Sequence, residues 1–144
     1  MEPRINMITF AVEDLERSLA FYRDGLGLTS PGIIGTEWPG DEQNAAGPVV
    51  MFELDGGFVL ACYPRTELAK DGHIPLHPAS PGAFSVGHFV GSRSEVDALL
   101  QAAAAAGGHV TEPPRDRPWG IYSGYFQDPD GHLWEVISNP GAAA

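Results

Sequence analysis

The chain has 144 residues, 43% of them hydrophobic, and a formal net charge of −11 from 19 acidic and 8 basic side chains. That length suits one domain with its own core, read here as 1–144, and the acidic balance repels phosphate backbones and anionic membranes. A single cysteine, Cys62, excludes an internal disulfide, and no apolar run approaches the ~20 residues that a membrane helix needs. The reading is a cytoplasmic protein in a reducing compartment, with no nucleic-acid or membrane partner.

In chain order, Ile5 to Val12 reads as a strand with Ile5, Met7, Thr9 and Ala11 on one face. Asp14 is a good helix N-cap, and Leu15, Leu19, Tyr22 and Leu26 draw one apolar stripe after it. Residues from Gly32 to Gly47 read as a weak strand and a loop. Pro48–Leu54 and Phe58–Tyr63 are strands joined by Asp55-Gly56-Gly57, a strong hairpin signal because glycine accepts positive φ. The proline-rich stretch 65–82 reads as a linker, with a helical turn near Thr66 to Lys70.

The pattern then repeats. Ala83–Val90 is a strand, and Ser92-Arg93-Ser94-Glu95 is a capping box that opens a helix carrying Val96, Leu99, Leu100 and Ala103 as its stripe. Gly107-Gly108 stops it; a short strand near His109–Thr111 and a loop over Glu112–Pro118 follow. Tyr122–Gln127 and His132–Ile137 form a hairpin around Asp128-Pro129-Asp130-Gly131, and Pro140–Ala144 reads as a frayed tail. Two such units imply a duplicated α+β domain, module one at about 4–64 and module two at about 83–139.

The segments ITFAVEDLERSLAFYRDGLGL and GYFQDPDGHLWEVISNP resemble the first strand–helix and the last hairpin of the vicinal oxygen chelate superfamily. That superfamily includes glyoxalase I, bleomycin- and fosfomycin-resistance proteins and extradiol dioxygenases. The resemblance implies two βαβββ modules forming a cupped, mostly antiparallel mixed sheet with helices outside, and a homodimer. It also implies a divalent metal held by side chains of the first and last strand of each module. Counting from the motifs puts those positions at Met7, Ala61, Ser85 and Glu135, of which only Glu135 is a hard-metal donor. One carboxylate does not hold a divalent ion, so the expected site has no metal cofactor. The alternative metal pair is Glu135 with His88, which needs the strand to slip by one residue; without the slip, His88 points to the helix side.

The ligand-binding positions are therefore Met7, Ala61, Ser85, Trp119, Tyr122 and Glu135, with Glu135 as candidate base or counter-charge. Trp119, beside Gly120, is the aromatic best placed to line a pocket, whereas Trp134 reads as core, Cys62 as an inert buried thiol and His132 as a surface turn residue. The leading functional reading is a metal-independent binder of a small organic molecule, with the net charge favouring a cationic one. The alternatives are a metal-dependent lyase, isomerase or dioxygenase with an altered ligand set, and a protein whose cup serves only for pairing.

Overall fold

The computed structural model describes residues 1–78 and 82–139. The expected tail Pro140–Ala144 and residues 79–81 of the expected linker lie outside them. The chain divides into two compact units, the first lying within Met1–Pro78 and the second formed mainly by the residues after it.

The first unit contains β1 (Met7–Val12), α1 (Leu15–Leu19), β2 (Ile33–Ile34), β3 (Val49–Glu53), β4 (Val59–Pro64) and α2 (Arg65–Gly72). Its sheet runs β1-β4-β3-β2, with β1 parallel to β4 and the other pairs antiparallel. Asp14 caps α1 through its carboxylate, which accepts from the Glu16 and Arg17 amides at 2.9 and 3.3 Å. The expected single helical stripe is modified: Ala20–Gly25 winds on as a π-helix. The wider turn buries both Phe21 and Tyr22, which meet edge to face at 4.9 Å. Tyr22 reaches Phe10 and Phe52 at 6.5 and 5.6 Å, so β-strand alternation puts Phe10, Val12, Val50 and Phe52 on the helix side. Thr9, Ala61 and Met51, aligned across the sheet, lie on the other side.

One expectation is corrected here. The turn between β3 and β4 forms as read, with Gly56 and Gly57 at φ 76° and 81°, but the linker begins as a full helix, α2. Its Glu67 carboxylate accepts from the Ala46 amide at 2.8 Å, and the Tyr63 hydroxyl donates to the Ala46 carbonyl. Those two bonds fasten the loop before β3 to α2 and to the end of β4.

The second unit repeats the order: β5 (Ser85–Val90), α3 (Arg93–Ala105), β6 (His109–Asp116), β7 (Tyr122–Gln127) and β8 (Leu133–Ser138). Its sheet runs β5-β8-β7-β6, again with one parallel pair, β5 with β8. Ser92 caps α3 by accepting from the Glu95 amide, as the capping box requires. Val96, Leu100 and Ala103 of α3 are buried, together with Phe126 and Val136 of the sheet. The fold is thus α+β, two βαβββ units each with a four-stranded mixed sheet and a helix on one face.

β6 is longer than the expected His109–Thr111, extending through Pro113 and Pro114. Proline is tolerated there because β6 is an edge strand, and the register shifts between Val110, Glu112 and Arg115 absorb the missing donors. His132 is not a surface turn residue. Its side chain is only 15% exposed, and Nδ1 lies 2.8 Å from the buried Asp128 carboxylate. The other Asp128 oxygen accepts from the Asp130 and His132 amides, so the turn chemistry itself is as read.

Candidate functional site

Register decides which side chains share a face. In the second unit Gly124 lies under α3, since a Cβ built there would come within 2.5 Å of Leu100 Cδ1. Its cross-strand neighbours are Val136 and, through β8, His88. Alternation then sends Tyr122, Phe126, Trp134 and His88 towards α3, and Ser123, Tyr125, Glu135, Ile137, Gly87 and Ser85 to the opposite face.

On that opposite face a polar chain is built around Glu135. The Ser123 hydroxyl, fully buried, donates to Glu135 Oε2 at 2.8 Å and accepts from Arg117 Nε at 3.0 Å. Arg117 Nη2 also donates to the Ser123 carbonyl at 3.3 Å. Tyr125, directly across from Glu135, is hydrogen-bonded to the same carboxylate, and the Arg117 guanidinium lies 5.6 Å from its ring centroid. Burial, then the hydrogen bond to Glu135 and that residue's charge, hold the Tyr125 phenol above its ordinary 10.0, with Arg117 pulling the other way. The Ser123 hydroxyl and the Tyr125 phenol thus both meet this one carboxyl group.

Arg117 is delivered by the loop from β6 to β7. Its amide donates to the Ile121 carbonyl and its carbonyl accepts from the Gly120 amide, a tight reversal that Gly120 completes at φ 94°. Trp119 sits at the tip of this loop, 69% exposed.

The positions read from the sequence separate accordingly. Glu135 lies at the centre of the cluster, and Ser85 shares its face but stands beside Leu133, one row away; the residue directly beside Glu135 on β5 is Gly87. Tyr122 lies on the other face, where its hydroxyl donates to Asp97 of α3 at 2.6 Å under the Arg93 guanidinium. Arg93 in turn holds Asp116 by two bonds of 2.5 and 3.0 Å, which marks that group as a structural tie between α3 and β6. His88 is exposed on the α3 side, beside Val136, so it does not share a face with Glu135. In the first unit Met7 and Ala61 lie on the sheet face away from α1, Met7 beside Val59 and Ala61 beside Thr9 and Met51. Ser123 and Arg117 were not singled out in the sequence, and Tyr125 stood out there only as one of the aromatic residues near the last hairpin, outside the ligand-binding set. Alternation along β7 could have found Ser123 and Tyr125 once Glu135 was fixed, whereas the loop carries no periodic signal for Arg117.

The donor set does not fit a divalent cofactor of the superfamily. On the Glu135 face of the second unit, Gly87 has no side-chain donor, and the Ser85 hydroxyl one row away is a poor substitute for a second carboxylate or imidazole. Among the described residues no three His, Cys, Asp or Glu side chains come together as a metal site.

The chain has relatives. One is "Putative lactoylglutathione lyase" from Brassica oleracea var. gemmifera, 25% identical over 131 residues; this chain spans 42% of that protein's length, and the match covers 90% of this chain. A crystal structure of a glyoxalase-related enzyme from Fulvimarina pelagi superposes with a TM-score of 0.79 at 30% identity, over 96% of this chain and 89% of that one. A lactoylglutathione lyase structure from Agrobacterium tumefaciens does so with a TM-score of 0.67 at 25% identity, over 96% and 95%. The family model described as Glyoxalase/Bleomycin resistance protein/Dioxygenase superfamily matches residues 4–136, and the chain belongs to that superfamily.

Proposed function

We propose that this protein binds a small organic molecule on the β7–β8 face around Glu135, without the divalent metal of its enzyme relatives. The observation that carries the reading is the hydrogen-bonded chain from Arg117 through Ser123 to Glu135, joined by Tyr125. Such a chain fixes the position of the carboxyl group and offers it to a polar group on a ligand. Gly87 beside it leaves room on the face that a larger side chain would fill. Exposed aromatic groups nearby on the same unit, Trp119 and Phe89, supply apolar surface of the kind that ligand sites use. Glu135 is also the one side chain here suited to take a proton from a bound substrate, while Tyr125 keeps its own.

The names of the relatives favour a second reading, a lyase or isomerase with an altered ligand set. Metal analysis of the purified protein separates the two. The binder contains no stoichiometric Ni²⁺, Zn²⁺ or Fe²⁺ and shows no lactoylglutathione lyase activity when these ions are added. Stoichiometric metal lost on substitution of Glu135 would overturn the first reading. A thermal-shift screen of neutral and charged metabolites tests binding directly, because a ligand at about 100 times its Kd adds ~2.7 kcal/mol of stability. Glu135→Ala should abolish the shift of any hit.

A further inference from the structure

The Arg117 guanidinium is held by one edge and free on the other. Nε and Nη2 engage Ser123, and the far edge with Nη1 has no hydrogen-bond or ion-pair partner among the described residues. Other cations of this acidic chain are tied to carboxylates: Arg65 to Glu13 at 2.9 Å, Arg93 to Asp116 at 2.5 Å, Arg115 to Glu112 at 3.5 Å. Arg117 has a carboxylate close by in Glu135 but forms no ion pair with it. The Ser123 hydroxyl stands between them, accepting from the one and donating to the other. Glu135 meanwhile accepts from the Ser123 hydroxyl and lies against the Tyr125 phenol.

We infer that the far edge of Arg117 is an oxyanion-binding subsite, so the ligand carries a group with paired anionic oxygens there, along with a hydrogen-bond donor that reaches Glu135. This rests on the small-molecule reading above and names its ligand class. Three features support it. A guanidinium presents paired N–H groups in the plane that a two-oxygen anion matches. Its position is fixed before binding, by a buried serine and by the Gly120 reversal, so little side-chain freedom remains to be lost. It has also been left un-neutralised in a chain with 19 acidic side chains against 8 basic ones. The net charge favours cations at long range, but at contact distance the fixed donor decides which atom is recognised.

The test uses four probes of similar shape: benzoate, phenylphosphonate, benzamide and benzylamine. Binding is followed by NMR of the arginine Nε–H and the backbone amides, with the wild type, Arg117→Gln and Arg115→Gln. Benzoate or phenylphosphonate should move the Arg117 Nε–H and the Tyr125 amide. Arg117→Gln should weaken that binding about tenfold or more while Arg115→Gln leaves it unchanged, and the two anions tell carboxylate from phosphonate preference. Equal anion binding by Arg117→Gln, with its fold verified by circular dichroism, would overturn the subsite. Perturbation of Tyr125 by benzamide or benzylamine alone would also overturn it, while leaving small-molecule binding intact. No response to any of the four would sink both.

Discussion

Replacing Ser123 with alanine tests whether the Glu135 cluster is a connected network. The hydroxyl is fully buried and makes two bonds to charged partners, at 2.8 Å to Glu135 and 3.0 Å to Arg117. A hydrogen bond to a charged group contributes about 1.5–3 kcal/mol net. Glu135 and Arg117 are both half-buried, so water reaches them in part once the hydroxyl is gone, and the lower end applies to each. Arg117 also keeps its bond to the Ser123 carbonyl. The expected loss is ~2 kcal/mol, which for a chain of this length lowers Tm by roughly 6–8 °C. Glu135→Ala should cost ~1 kcal/mol, and the double variant ~2 rather than the ~3 of an additive pair, a coupling of about 1 kcal/mol. Urea denaturation followed by tryptophan fluorescence, with unchanged m, supplies all four corners of the cycle. Arg115→Ala, which removes a half-exposed pair with Glu112, serves as the control and should stay within about 0.5 kcal/mol. A Ser123→Ala loss below about 0.5 kcal/mol, or additivity to that margin, would show that the three side chains do not act together.

Gly124→Ala should destabilise by about 1–3 kcal/mol in the same assay, because its Cβ would meet Leu100 Cδ1 at 2.5 Å and the Glu112 carbonyl oxygen at 2.9 Å, the latter part of a neighbouring backbone. Asp14→Ala should cost ~1 kcal/mol by leaving the Glu16 and Arg17 amides without their acceptor. Tyr63, Tyr122 and Tyr125 are all held above the ordinary 10.0, Tyr63 and Tyr125 chiefly by burial and Tyr122 by its bond to Asp97. Above about pH 10 the unfolded chain therefore binds fewer protons than the native one, and stability should fall as pH rises through the native tyrosine values. Ultraviolet titration should show the Tyr125 transition moving down in Glu135→Gln; an unmoved transition would deny the contact.

The elements were legible where one local force dominates. Apolar stripes located α1 and α3, paired glycines located the β3–β4 turn, and the capping box located the start of α3 to within a residue. Edge position was not legible, and so Pro113 and Pro114 read as a loop although β6 runs through them. The site was half legible. Glu135 was placed by counting from the motif that carries the family resemblance, but its partners depend on pairing register, which the sequence does not give. Ser85 stands one row from Glu135, beside Leu133, and Tyr122 lies on the other face from it. Arg117 depends on a loop reversal and has no signature in periodicity.

The duplication itself shows what the cluster contributes. The parallel pair β1–β4 and the parallel pair β5–β8 have the same register, which equates Thr9 with Gly87, Ala61 with Glu135, and through the third strand Met51 with Tyr125 and Phe52 with Phe126. On the helix side the exchange of Phe52 for Phe126 preserves a buried aromatic. On the other side the row Thr9–Ala61–Met51 of the first unit corresponds to Gly87–Glu135–Tyr125 of the second, and the difference lies in the partners as much as in the acid. Ala61→Glu isolates that difference. It places a carboxylate at a position 1% exposed, between Thr9 and Met51, with no equivalent of Ser123, Tyr125 or Arg117. A buried charge without compensation costs about 3–5 kcal/mol, against the ~1 kcal/mol for removing Glu135 from its network. Urea midpoints of the two variants should therefore differ widely and in that order. An Ala61→Glu protein as stable as Glu135→Ala would mean that the sheet tolerates a carboxylate there by itself, and that Ser123, Tyr125 and Arg117 are present for some reason other than holding one.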